Sequence, residues 1–355
     1  MNKKKLPHHQ FPSQLRQDII SGDWVVIATG RARRPDEFKQ KADVKKTHRQ
    51  TFSRSAKGKT KKDCIFCRIL EKEKPILVYS HGKKSNNVKD WTTVVVANKY
   101  PAFSLGGMVN RHEIGPYQVM NGIGFHELVV TRDHHRRLGQ LEREEIKEVI
   151  DVYQERYLDL SNESSVNYIS IFHNEGKTAG ASVAHPHSQI IAIPTTDPDI
   201  KSSLSGSKKY WQKHHQCPHC VMIAYDRKVS ERIIWQNEEF VVCCPFVPRT
   251  AFEVRIYPKK HQAYFERIKD SSKRQLAAAF KMALKSLNLG LGKPDYNFFL
   301  HTAPCDGHSY DYYHWHWQII PKTQIWGGFE LGTEIEVSTI TPEVAATYLG
   351  KQLSK

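Results

Sequence analysis

Residues 173–194 read HNEGKTAGASVAHPHSQIIAIP, and residues 301–321 read HTAPCDGHSYDYYHWHWQIIP. Both contain H-x-H-x-Q-I-I and end on proline. In an extended segment side chains alternate between faces, so His185, His187 and Gln189 share one face while Pro186 and Ser188 share the other. Three polar groups aligned on a strand that continues IIAIP are costly to bury unless they bind something. Pro186 has no N–H to give to a ladder, which puts this strand at a sheet edge or breaks pairing at that point.

Outward from these stretches the same elements recur in the same order. Each copy begins with a C-x-x-C pair, Cys64/Cys67 and Cys217/Cys220. There follow strand-like runs (WTTVVVANKYPAF and HELVVTRDHH; FVVCCPFVP and FEVRIYPKKH), then a helix, a strand (YISIFHN; YNFFLHT), a loop and the H-x-H. His134 precedes His185 by 51 residues and His261 precedes His314 by 53. The order predicts two tandem repeats, residues 1–205 and 206–355, the second ending in a helix. Residues 141–160 place Ile146, Ile150, Tyr153, Tyr157 and Leu160 on one helical stripe. Residues 271–290 place Leu276, Phe280, Ala283 and Leu287 likewise, with Ser272 and Gln275 as a capping box and Gly290 as the stop. One main helix per repeat cannot supply the crossovers of a parallel sheet, so the expected class is α+β with mainly antiparallel pairing.

The 355 residues are 39% hydrophobic and 25% charged, a globular composition. The opening MNKKKLPHHQFPSQ lacks the apolar core of about 7–15 residues that a secretory signal needs, and no run approaches the ~18 apolar residues that span a bilayer. A cytoplasmic protein without a membrane partner is expected. The formal charge is +16, but residues 1–62 alone carry 17 lysines and arginines against 5 acidic residues. Nucleic-acid contact by the basic 31–62 stretch is one reading; a solvated loop that partly meets an anionic small substrate is the other and the preferred one. Four of seven cysteines lie in the C-x-x-C pairs, which in this setting fit metal thiolates better than disulfides, leaving Cys243, Cys244 and Cys305 as buried free thiols.

Zinc takes about four nitrogen or sulfur ligands, commonly a C-x-x-C pair with two histidines. Cys64, Cys67, His134 and His185 make one such set, with His135 able to replace His134; Cys217, Cys220, His261 and His314 make a second. Ahead of the first H-x-H, Gly176 and Gly180 permit close backbone approach, and Asn174, Lys177 and Ser182 offer donors, as a phosphate requires. The second copy lacks this cradle and flanks His316 with Trp315 and Trp317, so the first copy is the expected chemical site.

HPHSQII preceded by N-x-G-x-x-A-G-x-S resembles the nucleotidyl-transferring branch of the histidine triad superfamily, in particular the galactose-1-phosphate uridylyltransferase family and its relatives that act as ADP-glucose phosphorylases. The likeness runs from Leu15 to about Thr347. It implies histidine-triad-like repeats, structural zinc, and a homodimer acting on a nucleotide sugar and a sugar phosphate or phosphate. LRQDIISGDWVVIATGRARRP is similar to the family's opening, whose arginines contact nucleotide and phosphates and map onto Arg31 and Arg34; VVVANKYPAF resembles its base and ribose segment and points to Asn98. In family terms His187 is the nucleophile, attacking the α-phosphorus to form a nucleotidyl-histidine, with the carbonyl of His185 holding its other ring nitrogen. Gln189 and Ser182 donate to phosphate oxygens, and Asn174 and Gly176 shape the substrate loop. In QIWGGFELGTEIEV, Phe329 and Glu330 fit the family's aromatic and acidic positions, but Gln324 stands at the lysine position and no downstream glutamine matches. Uridylyl transfer to a hexose 1-phosphate and adenylyl transfer to phosphate therefore both stay open. A nucleotide hydrolase and a nucleic-acid-binding zinc protein are the remaining alternatives.

Overall fold

The computed structural model describes residues 13–31, 35–38, 63–105 and 107–354. Its strands are β1 (Ser13–Gln17), β2 (Trp24–Ala28), β3 (Pro75–Ser80), β4 (Lys83–Lys84), β5 (Thr93–Ala97), β6 (Arg111–Ile114), β7 (Tyr117–Met120) and β8 (Phe125–Thr131), then β9 (Tyr168–Glu175), β10 (His187–Ile193), β11 (Ile233–Gln236), β12 (Phe240–Cys243), β13 (Val254–Pro258), β14 (Tyr296–His301), β15 (His316–Pro321) and β16 (Val337–Ser338). The helices are α1 (Arg143–Leu160), α2 (Pro198–His214), α3 (Pro218–Val229), α4 (Asp270–Leu291), α5 (Gly328–Thr333) and α6 (Pro342–Leu353).

Eleven strands form one sheet in the order β11-β12-β13-β15-β14-β9-β10-β8-β5-β3-β4. Its pairs are antiparallel, including β14 on β9 at the centre. The mixed, mainly antiparallel architecture expected from the sequence is present. Residues 205 and 206 lie inside α2, and the sheet is continuous from one half of the chain to the other. No described helix is long and apolar enough to cross a membrane.

One face of the sheet is covered by α1 and α4. Glu142 N donates to the Glu145 carboxylate, closing the start of α1, and the whole expected stripe from Ile146 to Leu160 is buried. Trp315 and Trp317 alternate onto this face and join Phe265, Phe280 and Phe298 in the core. Each such side chain contributes about 1.5–3 kcal/mol when fully buried, and their burial sends His314, His316 and Gln318 to the opposite face. That face is covered differently in the two halves. Ile223 of α3 packs on Val241, Cys243 and Tyr257 in the second half, whereas in the first the Cys64–Ile69 segment covers Val94, Val96, Leu128 and Val130.

Several local expectations are corrected. The second half ends in α6 as expected, but it also carries α3 beside α4, and α2 bridges the halves, so one main helix per repeat undercounts it. Helix α4 starts after Lys269, which occupies the N-cap position without a side-chain cap, and stops at Gly292 (φ +70°); Ser272 lies buried inside its first turn, and Gly290 is a helical residue packed on Leu349 and Tyr348. Of the two alternatives left open by Pro186 the structure takes the second: strand β10 is interior, between β8 and β9, and its pairing begins at His187, one residue after the proline.

Candidate active site and metal centres

His187 opens β10, paired with Val130, and is 7% exposed. Its Nδ1 lies 2.9 Å from the carbonyl oxygen of His185, and its ring meets Phe66 edge-on at 4.8 Å. Burial pulls its imidazole down to about 4, so at neutral pH the ring is uncharged. With Nδ1–H given to the carbonyl, Nε2 carries the free lone pair. Behind it, on the helix side, Ser188 Oγ bonds to Tyr153 Oη and to His173 Nδ1 (3.0 Å), and His173 Nε2 lies 3.3 Å from Glu175. This buried chain of polar contacts fixes the strand from below.

The loop after β9 is shaped by two glycines. Gly176 takes φ +85°, ψ 163°, a region open essentially to glycine alone. A Cβ there would stand 1.9 Å from Asp295 Oδ1. The Asp295 carboxylate accepts from Thr178 N (2.8 Å) and Oγ1 (2.7 Å), while Asn297 Nδ2 donates to Asn174 Oδ1 and to Ala179 O, both at 2.8 Å. Two residues at the start of the second half's β14 segment therefore hold the first half's loop, which leads to exposed Ser182. Gln189, two along from His187 on the same face, bonds to His126, which also touches Asn98.

The first cysteine pair, His134 and His185 converge, their donor atoms all within 4.8 Å. Cys67 Sγ lies 3.1 Å from His134 Nδ1 and 3.5 Å from His185 Nδ1, Cys64 Sγ lies 3.5 Å from His185 Nδ1, and the two Nδ1 atoms are 3.2 Å apart. An ion held tetrahedrally by nitrogen at about 2.1 Å and sulfur at about 2.3 Å needs separations of about 3.4 Å between nitrogens and about 3.6 Å between nitrogen and sulfur. His185 Nε2 donates to Thr131 O (2.7 Å), which aims its Nδ1 lone pair inward. His134, not the exposed His135, is the histidine in the cluster. Its turn is held by Asp133, which accepts from His135 N and Arg136 N, and by Arg136, whose guanidinium forks onto Glu145 of α1.

Cys217, Cys220, His261 and His314 converge in the same way. Cys220 Sγ is 3.3 Å from His261 Nδ1 and 3.4 Å from His314 Nδ1, and each ring's Nε2 donates to a carbonyl, of Asp311 and Pro258. Contact with Cys217, then with the two imidazoles, lowers the Cys220 thiol. Both clusters have the donor set to bind a metal ion. Beside the second, His316 is walled in by Tyr257 (4.8 Å), His301 (4.6 Å) and His219 (5.2 Å), leaving no counterpart of the loop before His187.

Other expected site residues stand apart or outside view. Arg34 and most of the basic 31–62 stretch lie outside the described residues, as does the side chain of Arg31, whose backbone ends a short 3-10 turn. Phe329 (52% exposed) and Glu330 sit on α5, where the Glu330 carboxylate accepts from Gly327 N within its own helix end. Among the described residues no hydrogen bond, ion pair or ring contact joins α5 to the His187 face. Reading the sequence missed His126, His173, Asp295 and Asn297; for Asp295 no local pattern marks a contact 117 residues away.

A strand-borne H-x-H-x-Q beside a Cys2His2 cluster places a neutral imidazole next to a metal-binding set, and comparison with known proteins gives this arrangement a family. The chain belongs to the galactose-1-phosphate uridyl transferase family, whose N-terminal domain matches residues 3–196; a domain of unknown function matches residues 119–355. It is 30% identical to an ADP-glucose phosphorylase of Arabidopsis thaliana, over 94% of this chain and 91% of that protein. It is 25% identical to a galactose-1-phosphate uridylyltransferase of Thermotoga maritima, over 95% and 97%. Among solved structures, the Arabidopsis ADP-glucose phosphorylase with bound ADP-glucose superposes with a TM-score of 0.76 at 27% identity, covering 96% of this chain and 98% of that one. A uridylyltransferase superposes at 0.71 and 26% identity, with the same coverage. The relatives are thus nucleotidyltransferases or phosphorylases, and nucleotidyl transfer involving a sugar phosphate is the activity they support.

Proposed function

We propose that this chain transfers a nucleotidyl group from a nucleotide sugar to a phosphate-bearing acceptor through a covalent intermediate on His187. The observation that carries the reading is the His187 ring itself: buried, neutral, and bound through Nδ1 to the His185 carbonyl. Its Nε2 lone pair attacks the α-phosphorus; the N–P bond forms as the bridging P–O bond to the sugar phosphate breaks, and sugar 1-phosphate leaves. The Nδ1–H bond to the carbonyl stabilises the charge the ring acquires. Gln189 and Ser182 donate to the phosphoryl oxygens, and the loop from Asn174 through Gly176 cradles them. An acceptor phosphate oxygen then takes the nucleotidyl group and the free imidazole returns. Arg31 and Arg34 clamp the nucleotide phosphates, and Asn98 lies on the nucleoside side.

Zinc held by Cys64, Cys67, His134 and His185, and by Cys217, Cys220, His261 and His314, would be structural, since each set offers four protein donors. His185 belongs to the first cluster and its carbonyl holds His187, so the cluster sets the position of the nucleophile. We read the halves as histidine-triad-like repeats and the enzyme as a homodimer. The apolar side chains exposed around α5, Ile325 (97%), Phe329 (52%) and Leu331 (68%), support a partner subunit there. Hexose 1-phosphate is the acceptor of the galactose-type reaction. Phosphate ion is the second reading, favoured by Gln324 where the galactose enzymes place a lysine.

A covalent intermediate permits exchange without the second acceptor. Labelled glucose 1-phosphate should pass into UDP-glucose or ADP-glucose with no third reactant present. Lack of exchange with either, in enzyme that completes the full reaction, is evidence for direct transfer and against His187 as nucleophile.

A further inference from the structure

Gln189 and Gln318 hold the same place in their H-x-H-x-Q segments, yet their amides are turned opposite ways. Gln318 has both ends engaged: Nε2 donates to Glu253 Oε1 (2.7 Å) and Oε1 accepts from His301 Nε2 (2.8 Å). Gln189 instead places Oε1 2.8 Å from His126 Nε2. An amide oxygen only accepts, so His126 donates there through Nε2–H. The backbone agrees: Ala102 N (3.3 Å) is a donor facing Nδ1, which therefore accepts. Asn98 Nδ2 lies across the ring edge between the two nitrogens, 3.1 Å from Nε2 and 3.4 Å from Nδ1, and does not choose between them.

The strand register shows why the two amides differ. His126 pairs with Ile191, two residues beyond Gln189. Glu253 directly precedes Val254, which pairs with Ile319, one residue beyond Gln318. The neighbouring strand thus offers each glutamine a partner from the corresponding place: a donor in the first half, an acceptor in the second. A glutamine amide has nearly the same shape after a half-turn, so packing does not choose its orientation and the hydrogen-bond partner does.

We infer that His126 is a positioning residue which holds the Gln189 amide with its oxygen turned away, so that its two N–H donors serve the phosphate at His187. This rests on the reading in which Gln189 contacts the transferred phosphate. Turned the other way, the amide would set an oxygen against anionic phosphoryl oxygens. In the second half Glu253 consumes the corresponding donor, a further reason that His316 faces no phosphate site.

The test measures the rate of covalent labelling by a labelled nucleotide sugar in the full-length enzyme and in His126→Phe, His126→Gln, His126→Glu, Gln189→Ala and the His126→Phe/Gln189→Ala double variant. Thermal unfolding of each and the 15N shifts of the His126 ring in the resting wild-type protein accompany it. His126→Phe should label about tenfold more slowly at saturating substrate, the worth of one neutral hydrogen bond, with KM changed less than about twofold. His126→Gln, which can place an N–H near the lost Nε2, should recover to within about threefold of wild type, and His126→Glu, an acceptor, should fall about a hundredfold. The double variant should be no slower than Gln189→Ala alone, whereas a merely structural role for His126 makes the losses add. Wild-type labelling by His126→Phe, or His126→Glu no worse than His126→Phe, overturns the inference. If no nucleotide sugar labels the wild-type protein, it is the catalytic reading that fails. The ring shifts then decide alone: an Nε2–H tautomer supports the positioning role and an Nδ1–H tautomer overturns it.

Discussion

Substituting Gly176 by alanine puts the architecture of the phosphate loop to a quantitative test. The backbone there, at φ +85° and ψ 163°, costs a residue with a Cβ about 1–3 kcal/mol. The added Cβ would also stand 1.9 Å from Asp295 Oδ1, so the carboxylate must leave. Its two bonds to Thr178 go with it, each worth about 1 kcal/mol at this partly exposed site. Gly176→Ala should therefore lose about 4 kcal/mol, about 2 from strain and about 2 from the lost bonds. Asp295→Ala should lose about the same 2 kcal/mol of bonds without the strain, its long 3.9 Å contact with Arg137 adding little. The double variant, with the clash removed but the strain kept, should lose about 4 rather than the additive 6 kcal/mol, a coupling of about 2. Urea unfolding of the four proteins measures these differences, and labelling by nucleotide sugar should slow with the loop's displacement. Gly176→Ala within about 0.5 kcal/mol of wild type, or strictly additive losses, would refute the account of how the second half holds this loop.

Elemental analysis should find two zinc ions per chain; Cys64→Ser should lose one of them and unfold more readily, because metal binding contributes directly to folding, and a zinc-free native protein contradicts both clusters. His187→Gly should abolish covalent labelling while His316→Ala keeps it, and free imidazole should partly restore turnover to the glycine variant. Arg31→Ala and Arg34→Ala should raise KM for the nucleotide sugar with unfolding unchanged, and lysine should rescue only in part, since it offers a point charge where arginine offers a fork; unchanged kinetics returns the stretch to a solvated loop. Burial lowers His301 from its ordinary 6.5 to about 4, so between those values the unfolded chain binds more protons there. Its contribution to stability is complete above about pH 6.5 and is lost as pH falls toward 4, and His301→Gln should flatten the stability–pH curve across that window in urea titrations.

The parts of the fold that the sequence announced are those carried by local pattern. The stripe on α1, the strand from Tyr168 and the shared face of His185, His187 and Gln189 follow from periodicity alone. The converging Cys2His2 sets were legible because thiolates and imidazoles at matched spacing have few other uses. What escaped depends on distant parts of the chain. Asp295 and Asn297 reach Thr178 and Asn174 only because β14 pairs with β9, a register no window of sequence encodes. His126 lay unremarked at the head of the strand-like run HELVVTRDHH, and its role shows only once β8 pairs with β10. Pro186 left an edge strand or a break in pairing open, and the register decides for the break: the ladder starts one residue later. Ser272 and Gly290 had the right chemistry for helix ends, yet α4 runs past both, because Leu291 still packs in the core and Gly292 supplies the left-handed stop.

The central claim is that a nucleotidyl group resides covalently on His187. Incubating the holoenzyme with radiolabelled nucleotide sugars, digesting it under conditions that spare phosphoramidates, and mapping the labelled peptide tests that claim directly. The account predicts label on the fragment spanning His185–Gln189, at His187. Label on the fragment containing His316, or at any other residue, would contradict it.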